Sequence, residues 1–177
     1  MRAVIYARYS SDLQREASIK ELKKALQQSQ SPDVCRVLIN ILGYRHARSA
    51  VSLLLPYLDN EDSDIRSVTA DALAAIKSPE AGAPLLWQYK VETERGPRNM
   101  IAVALGAVGH TAAIPVLIEA LKCPDPGLRG SAAWSLGALG AVEALDDLQQ
   151  ALSKETAWYP TERLTEALAA VKKKILS

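Results

Sequence analysis

Apolar residues recur along this chain at helical spacing. Ile101, Ala104, Leu105 and Val108 fall at i, i+3, i+4 and i+7, and Ile114, Leu117, Ile118 and Leu121 repeat that pattern after a short turn. Each set puts an apolar stripe on one face of a helix. Gly109-His110, Gly140 and Ser78-Pro79 supply turn chemistry between stripes. Asp59-Asn60-Glu61-Asp62 and Pro124-Asp125-Pro126-Gly127 provide starts for the helices that follow. Nothing between residues 20 and 177 reads as a strand.

The pattern repeats. Residues 98–121 superimpose on 129–152 with a shift of 31, so that Arg98 meets Arg129, Leu105-Gly106 meets Leu136-Gly137, and Gly109 meets Gly140. A shift of 32 backwards reaches residues 66–89, and a weaker copy covers 34–57, where the Leu42-Gly43 pair needs a one-residue slip. Each unit is a helical hairpin too small to bury its own apolar face, so neighbours must stack. Ile19, Leu22, Ala25 and Leu26 match a second helix without its first, whereas Leu164, Leu168, Val171 and Ile175 match a first helix without its second. Ten helices are expected: one leading, four pairs and one trailing.

The recurring Arg98, Ala102, Leu105-Gly106 and Gly109, followed by Ala113 and Leu117, resemble HEAT-like repeats of the short bacterial type first noted in phycobilin lyases. The resemblance covers about residues 18–177. It implies an all-α fold, a right-handed α–α superhelix whose second helices line the concave face.

Residues 1–19, MRAVIYARYSSDLQREASI, differ in character. Ala3–Ala7 is β-prone with no helical period. Tyr6, Ala7, Arg8, Tyr9, Ser10, Ser11, Asp12 and Gln14 resemble the opening of serine recombinases. That resemblance implies a nucleophile at Ser10 and a phosphate-holding arginine at Arg8. The arginine cluster of a complete recombinase site does not follow, and a serine without an activating base or clamp does not attack phosphate. Residues 1–17 are therefore expected to form an inactive segment, a fusion or cloning remnant outside the repeat domain of 18–177. It is expected either to cover the leading helix by packing Val4, Ile5 or Tyr6 on Leu22 and Leu26, or else to be disordered.

Composition narrows the function classes. The 177 residues are 49% hydrophobic and 23% charged, a globular balance. With 21 Lys+Arg against 20 Asp+Glu, the net charge of +1 disfavours nucleic acid as a partner. No apolar run approaches the ~18 residues that span a bilayer, so no membrane partner is expected. The opening lacks a signal-peptide core, so a cytoplasmic chain is expected. There is no Phe, so the core must be aliphatic. Cys35 and Cys123 form neither a disulfide framework nor a metal-ligand spacing. His46 and His110, read as equivalent turn residues two repeats apart, are too distant to share a metal. No zinc spacing, phosphate loop or nucleophile elbow is present. No cofactor and no enzymatic activity are expected.

Two rows of residues stand out. Arg66, Arg98 and Arg129 recur once per repeat and suit bidentate bonding to loop carboxylates such as Asp62, Asp64 or Asp125. Leu55, Trp87, Glu119 and Gln150 occupy one register position of the second helices, with Lys90 and Lys122 alongside. Trp87 is out of phase with the core stripe of Leu85, Leu86 and Tyr89, which makes it a candidate anchor for a partner. Trp134 reads as half-buried, and Trp158-Tyr159-Pro160 as a loop over the fourth pair. The sequence points first to a non-catalytic scaffold that grips a protein or peptide. The resemblances imply two alternatives: an accessory protein of phycobilin-lyase type in tetrapyrrole attachment, or a DNA-associated relative of the recombinases. Exposed terminal half repeats would also allow self-association.

Overall fold

The computed structural model describes the backbone of residues 2–176 and the side chains of residues 14–176. Among them are ten α-helices and no strand: α1 (Arg2–Gln28), α2 (Pro32–Tyr44), α3 (Val51–Leu54), α4 (Ser63–Ile76), α5 (Gly82–Val91), α6 (Arg95–Ala107), α7 (Ile114–Ala120), α8 (Pro126–Leu139), α9 (Leu145–Lys154) and α10 (Trp158–Leu176). Each second helix is entered through a short 3₁₀ turn, and a further 3₁₀ stretch, Leu55–Asp59, continues α3. The fold is an α-solenoid of four helical hairpins, α2–α3 to α8–α9, with α1 and α10 as half repeats.

The stride is visible atom by atom. Leu42, Leu73, Leu105 and Leu136 fill one layer of the core, and Leu54, Leu85, Leu117 and Leu148 fill the other, all with 0% exposure. Burying each such side chain stabilises by about 1.5–3 kcal/mol. First helices stack directly on one another, α2 on α4, α4 on α6, α6 on α8 and α8 on α10. At three of the four interfaces the close approach uses a glycine after the layer leucine, with Ala74 in its place after Leu73. A Cβ at Gly43 would lie 2.6 Å from Ala72 Cα, one at Gly106 2.6 Å from Ser135 Cα, and one at Gly137 2.8 Å from Ala167 Cα.

Turns repeat as faithfully. His46 (φ 50°), Lys77 (φ 55°), Gly109 (φ 74°) and Gly140 (φ 59°) are left-handed and end successive first helices. Their spacings are 77 − 46 = 31, 109 − 77 = 32 and 140 − 109 = 31. The partner of His46 in this series is therefore Gly109 and not His110. The two histidines do different jobs: His46 Nδ1 lies 2.7 Å from Ala75 O, and His110 fills the space left by Gly82. Asp62 and Asp125 cap α4 and α8, accepting from Asp64 N at 2.8 Å and Gly127 N at 2.9 Å.

The N-terminal segment departs from the β-prone reading. Helix α1 runs unbroken through position 17. A lone extended segment has no ladder for its backbone groups, whereas a helix satisfies them within itself. Asp12–Ala17, rich in helix-forming residues, makes the two stretches continuous. Further along α1, Ile19 and Leu26 are buried, Arg15 Nη2 donates to Arg45 O at 2.6 Å and Lys23 Nζ to Ser49 O at 2.7 Å. The side chains of Val4, Ile5, Tyr6, Arg8 and Ser10 lie outside those described. Trp158-Tyr159-Pro160 also differs from expectation, forming the first turn of α10 rather than a loop. Tyr159 occupies the hollow over Gly130, Pro160 is buried, and Trp158 is 78% exposed.

Candidate functional site

Two members of the arginine row, Arg66 and Arg129, form rungs that tie their hairpins to the loop beyond, through partners other than Asp62, Asp64 or Asp125. Arg66 Nε donates to Glu92 Oε2 at 2.7 Å and its Nη2 to Glu92 Oε1 at 3.1 Å, while Nη1 reaches Asn60 O and Glu61 O. Arg129 repeats the arrangement on Glu155, at 2.6 and 2.8 Å, with Nη1 on Cys123 O and Pro124 O. Each glutamate also accepts from the next two backbone amides, Thr93 and Glu94 for Glu92, Thr156 and Ala157 for Glu155. The sequence carries this as Glu-Thr at 92–93 and again at 155–156. The carboxylates lie 26 residues from their arginines, which is why the nearer aspartates drew attention first.

Electrostatics follow from that bonding. The Arg129 hydrogen bond, with the Ala157 and Thr156 amides, holds the Glu155 carboxyl down to about 2, against burial that acts upward. Burial acts upward on Glu92 as well, but Arg66 and the Glu94 amide outweigh it and leave the group below its ordinary value. Nearer the chain's start, Asp64 pairs with Arg36 at 3.3 Å.

Arg98 is the exception. The glutamate position of its rung is 92 + 32 = 124, equally 155 − 31 = 124, and Pro124 stands there. The neighbouring Asp125 is drawn to Arg95 at 2.7 Å and Asn99 at 3.1 Å. Arg98 turns to the Tyr89 ring, 5.1 Å from its centroid, and its Nε is buried without a hydrogen-bond partner.

The second helices present the other row. Trp87 is 58% exposed on α5, Leu55 is half-buried against the core, and Lys90, Glu119, Lys122 and Gln150 are exposed. Clefts open between successive second helices. Trp87, Gln88 and Val91 border one of about 480 Å³ on the Arg66 rung. Lys90 and Glu119 border a second of about 270 Å³ over Arg98. Lys122 and Gln150 border a third of about 450 Å³ beside Arg129, where Lys122 pairs with Asp147 at 3.3 Å. Apart from Leu55, the row thus borders a line of three clefts, and Cys123 borders both the second and the third. Trp134 is half-buried on α8. Among the described residues no group of three or more His, Cys, Asp or Glu is placed to hold a metal, and no helix is long and apolar enough to cross a membrane.

This stacking, with its glycine contacts and repeated left-handed turns, defines a helical-repeat protein, and the chain belongs to the HEAT repeat family, whose model matches residues 19–98 and 83–169. Among curated proteins it is similar to the phycocyanobilin lyase subunit alpha of Picosynechococcus sp. (strain ATCC 27264 / PCC 7002 / PR-6), 40% identical over 84 residues. That match takes in 44% of this chain and 31% of the relative, so the chain spans about a third of the length of the curated relative it matches. Among solved structures it is similar to the complex of CpcE and CpcF of phycocyanin lyase from Nostoc sp. PCC7120, with a TM-score of 0.52 and 20% identity over 88% of this chain and 83% of that one. At that identity the likeness concerns the fold.

These relatives correct the expectation of a chain without enzymatic activity. The curated one is a lyase subunit. In a HEAT scaffold the lack of a familiar catalytic motif in the sequence does not mark a non-enzyme, because a fold by itself does not fix function.

Proposed function

We propose that this protein is a subunit of phycobilin-lyase type, acting in the attachment of a linear tetrapyrrole to its protein. The observation that carries the reading is the 84-residue stretch 40% identical to a phycocyanobilin lyase subunit; the fold likeness to a phycocyanin lyase complex agrees with it. In this reading the second-helix face, expected to be concave, is the working surface. Its backbone is fixed by stacked hairpins, so a ligand meets a preorganised line of clefts and little ordering is needed on binding. Trp87, exposed on a rigid helix, would supply the aromatic anchor, with Lys90, Glu119, Lys122 and Gln150 as its polar rim. The CpcE–CpcF complex makes a second helical-repeat subunit a natural companion.

Co-expression of the chain with an apo-phycobiliprotein subunit and phycocyanobilin, with and without a companion lyase subunit, tests the proposal. Covalent pigment on the denatured phycobiliprotein band should rise when the chain is present. Equal attachment with and without the chain, for every companion tried, would remove the reading. Trp87→Ala should lower attachment at least several-fold while leaving the melting temperature unchanged, since the side chain stands in solvent.

A further inference from the structure

The rung at Arg98 is incomplete in a way that defines a ligand. On either side of it, Arg66 is held by Glu92, Glu94 and two backbone carbonyls, and Arg129 by Glu155 and two backbone carbonyls. Arg98 occupies the same position in its hairpin, yet Pro124 removes the carboxylate and neither carbonyl bond is made. No ion pair involving Arg98 occurs among the described residues. Its Nε is buried and unpartnered, a state that costs free energy in a native protein and calls for a reason. The guanidinium lies over Tyr89. Burial raises the phenol's pKa, against the opposing charge and hydrogen bond of Arg98. Arg98 also lines an open cleft of about 270 Å³, whose other charged members are Lys90 and Glu119, giving a net charge of +1. Val116 and Leu128 supply apolar walls.

We propose that this cleft is a carboxylate-binding site, in which an organic acid from outside the chain takes the place that Glu92 and Glu155 fill on the neighbouring rungs. Arg98 holds the carboxylate through its unpartnered Nε–H, Lys90 closes from the rim, and the carbon chain lies along Val116 and Leu128. A small molecule and an acidic side chain of a partner are the two sources of such an acid; the recognising chemistry is the same. This inference rests on the arginine row alone and stands whether or not the chain takes part in pigment attachment.

The test uses the full chain with ¹⁵N-labelled arginine. Sodium propionate should shift the Arg98 Nε–H resonance saturably and raise the melting temperature, whereas sodium chloride at equal ionic strength should do neither. Pro124→Glu, which restores the internal rung, should melt higher without additive and should no longer respond to propionate. Arg98→Gln should also lose the thermal response, which keeps the test decisive if Pro124→Glu folds poorly. Shifts with a tetrapyrrole diacid but not its dimethyl ester would identify a small-molecule source, and shifts with an acidic peptide a partner side chain. A propionate response that is absent, unsaturable, matched by chloride or retained in Arg98→Gln would overturn the proposal.

Discussion

Glu155 shows how much one side chain can carry in a repeat array. It receives Arg129 and two backbone amides at once, so removing its charge leaves a half-buried guanidinium unpaired. Glu155→Gln should destabilise by about 1–3 kcal/mol, read from urea unfolding at neutral pH. The same contacts make stability depend on pH. The folded-state value of about 2 lies below the ordinary 4.5, so the stabilisation is complete above the higher value and fades as pH falls toward the lower. Glu92 acts in the same direction. Unfolding free energy should therefore drop more steeply below pH 4.5 in the wild type than in Glu155→Gln. Parallel curves for the two proteins would show that the rung is not the source. Lys77 offers the opposite case. It sits at φ 55° where two other repeats use glycine, so Lys77→Gly should stabilise by about 0.5–1 kcal/mol in the same urea unfolding measurement.

Between helices the decisive quantity is distance of approach. Gly106 meets the backbone of Ser135, which cannot yield as a flexible side-chain tip can. Gly106→Ala should cost about 1–3 kcal/mol by overpacking. Gly96, in the first turn of the same helix, faces only Ser67 Oγ at 3.7 Å, and Gly96→Ala should be neutral or gain up to about 1 kcal/mol. Thermal melts of the two variants side by side check the contrast; similar losses in both would refute it. The Leu-Gly pair was legible in the sequence because it recurs at a fixed stride. The Glu-Thr rungs were not, since Glu92 and Glu155 are two copies of a residue that is exposed at its other described positions. Only the fold brings them 26 positions back onto an arginine. Likewise the β-prone look of Ala3–Ala7 is a local preference, and a helical context with no strand to pair against overrides it.

At the scale of the whole molecule, stability is close to a sum over nearest neighbours, so the ends determine how the array fails. The trailing half repeat is firmly seated: Ala167 meets Gly137, Tyr159 fills the hollow over Gly130, and Leu164, Leu168 and Val171 are buried. The α2 end differs. Val37 is 56% exposed and Tyr44 82% exposed, on the edge where inner repeats place Val68 and Ala75 against a preceding first helix. The spacing of Ile19, Leu22, Ala25 and Leu26 reads as a second helix whose first is missing. Which apolar positions it would leave in solvent needed the register that only the stacked structure fixes. Val37→Lys should therefore change stability by no more than about 0.5 kcal/mol. Val68→Lys, at the same position one repeat inward and packed on the core, should cost several times that. Truncation before Trp158 should be worse than either, because it uncovers Leu136 and Leu139 together with the glycine face of α8. Circular dichroism melts of the three variants would rank them. A truncation as stable as the full chain would mean that α10 adds no interface energy and that the array already ends at α9.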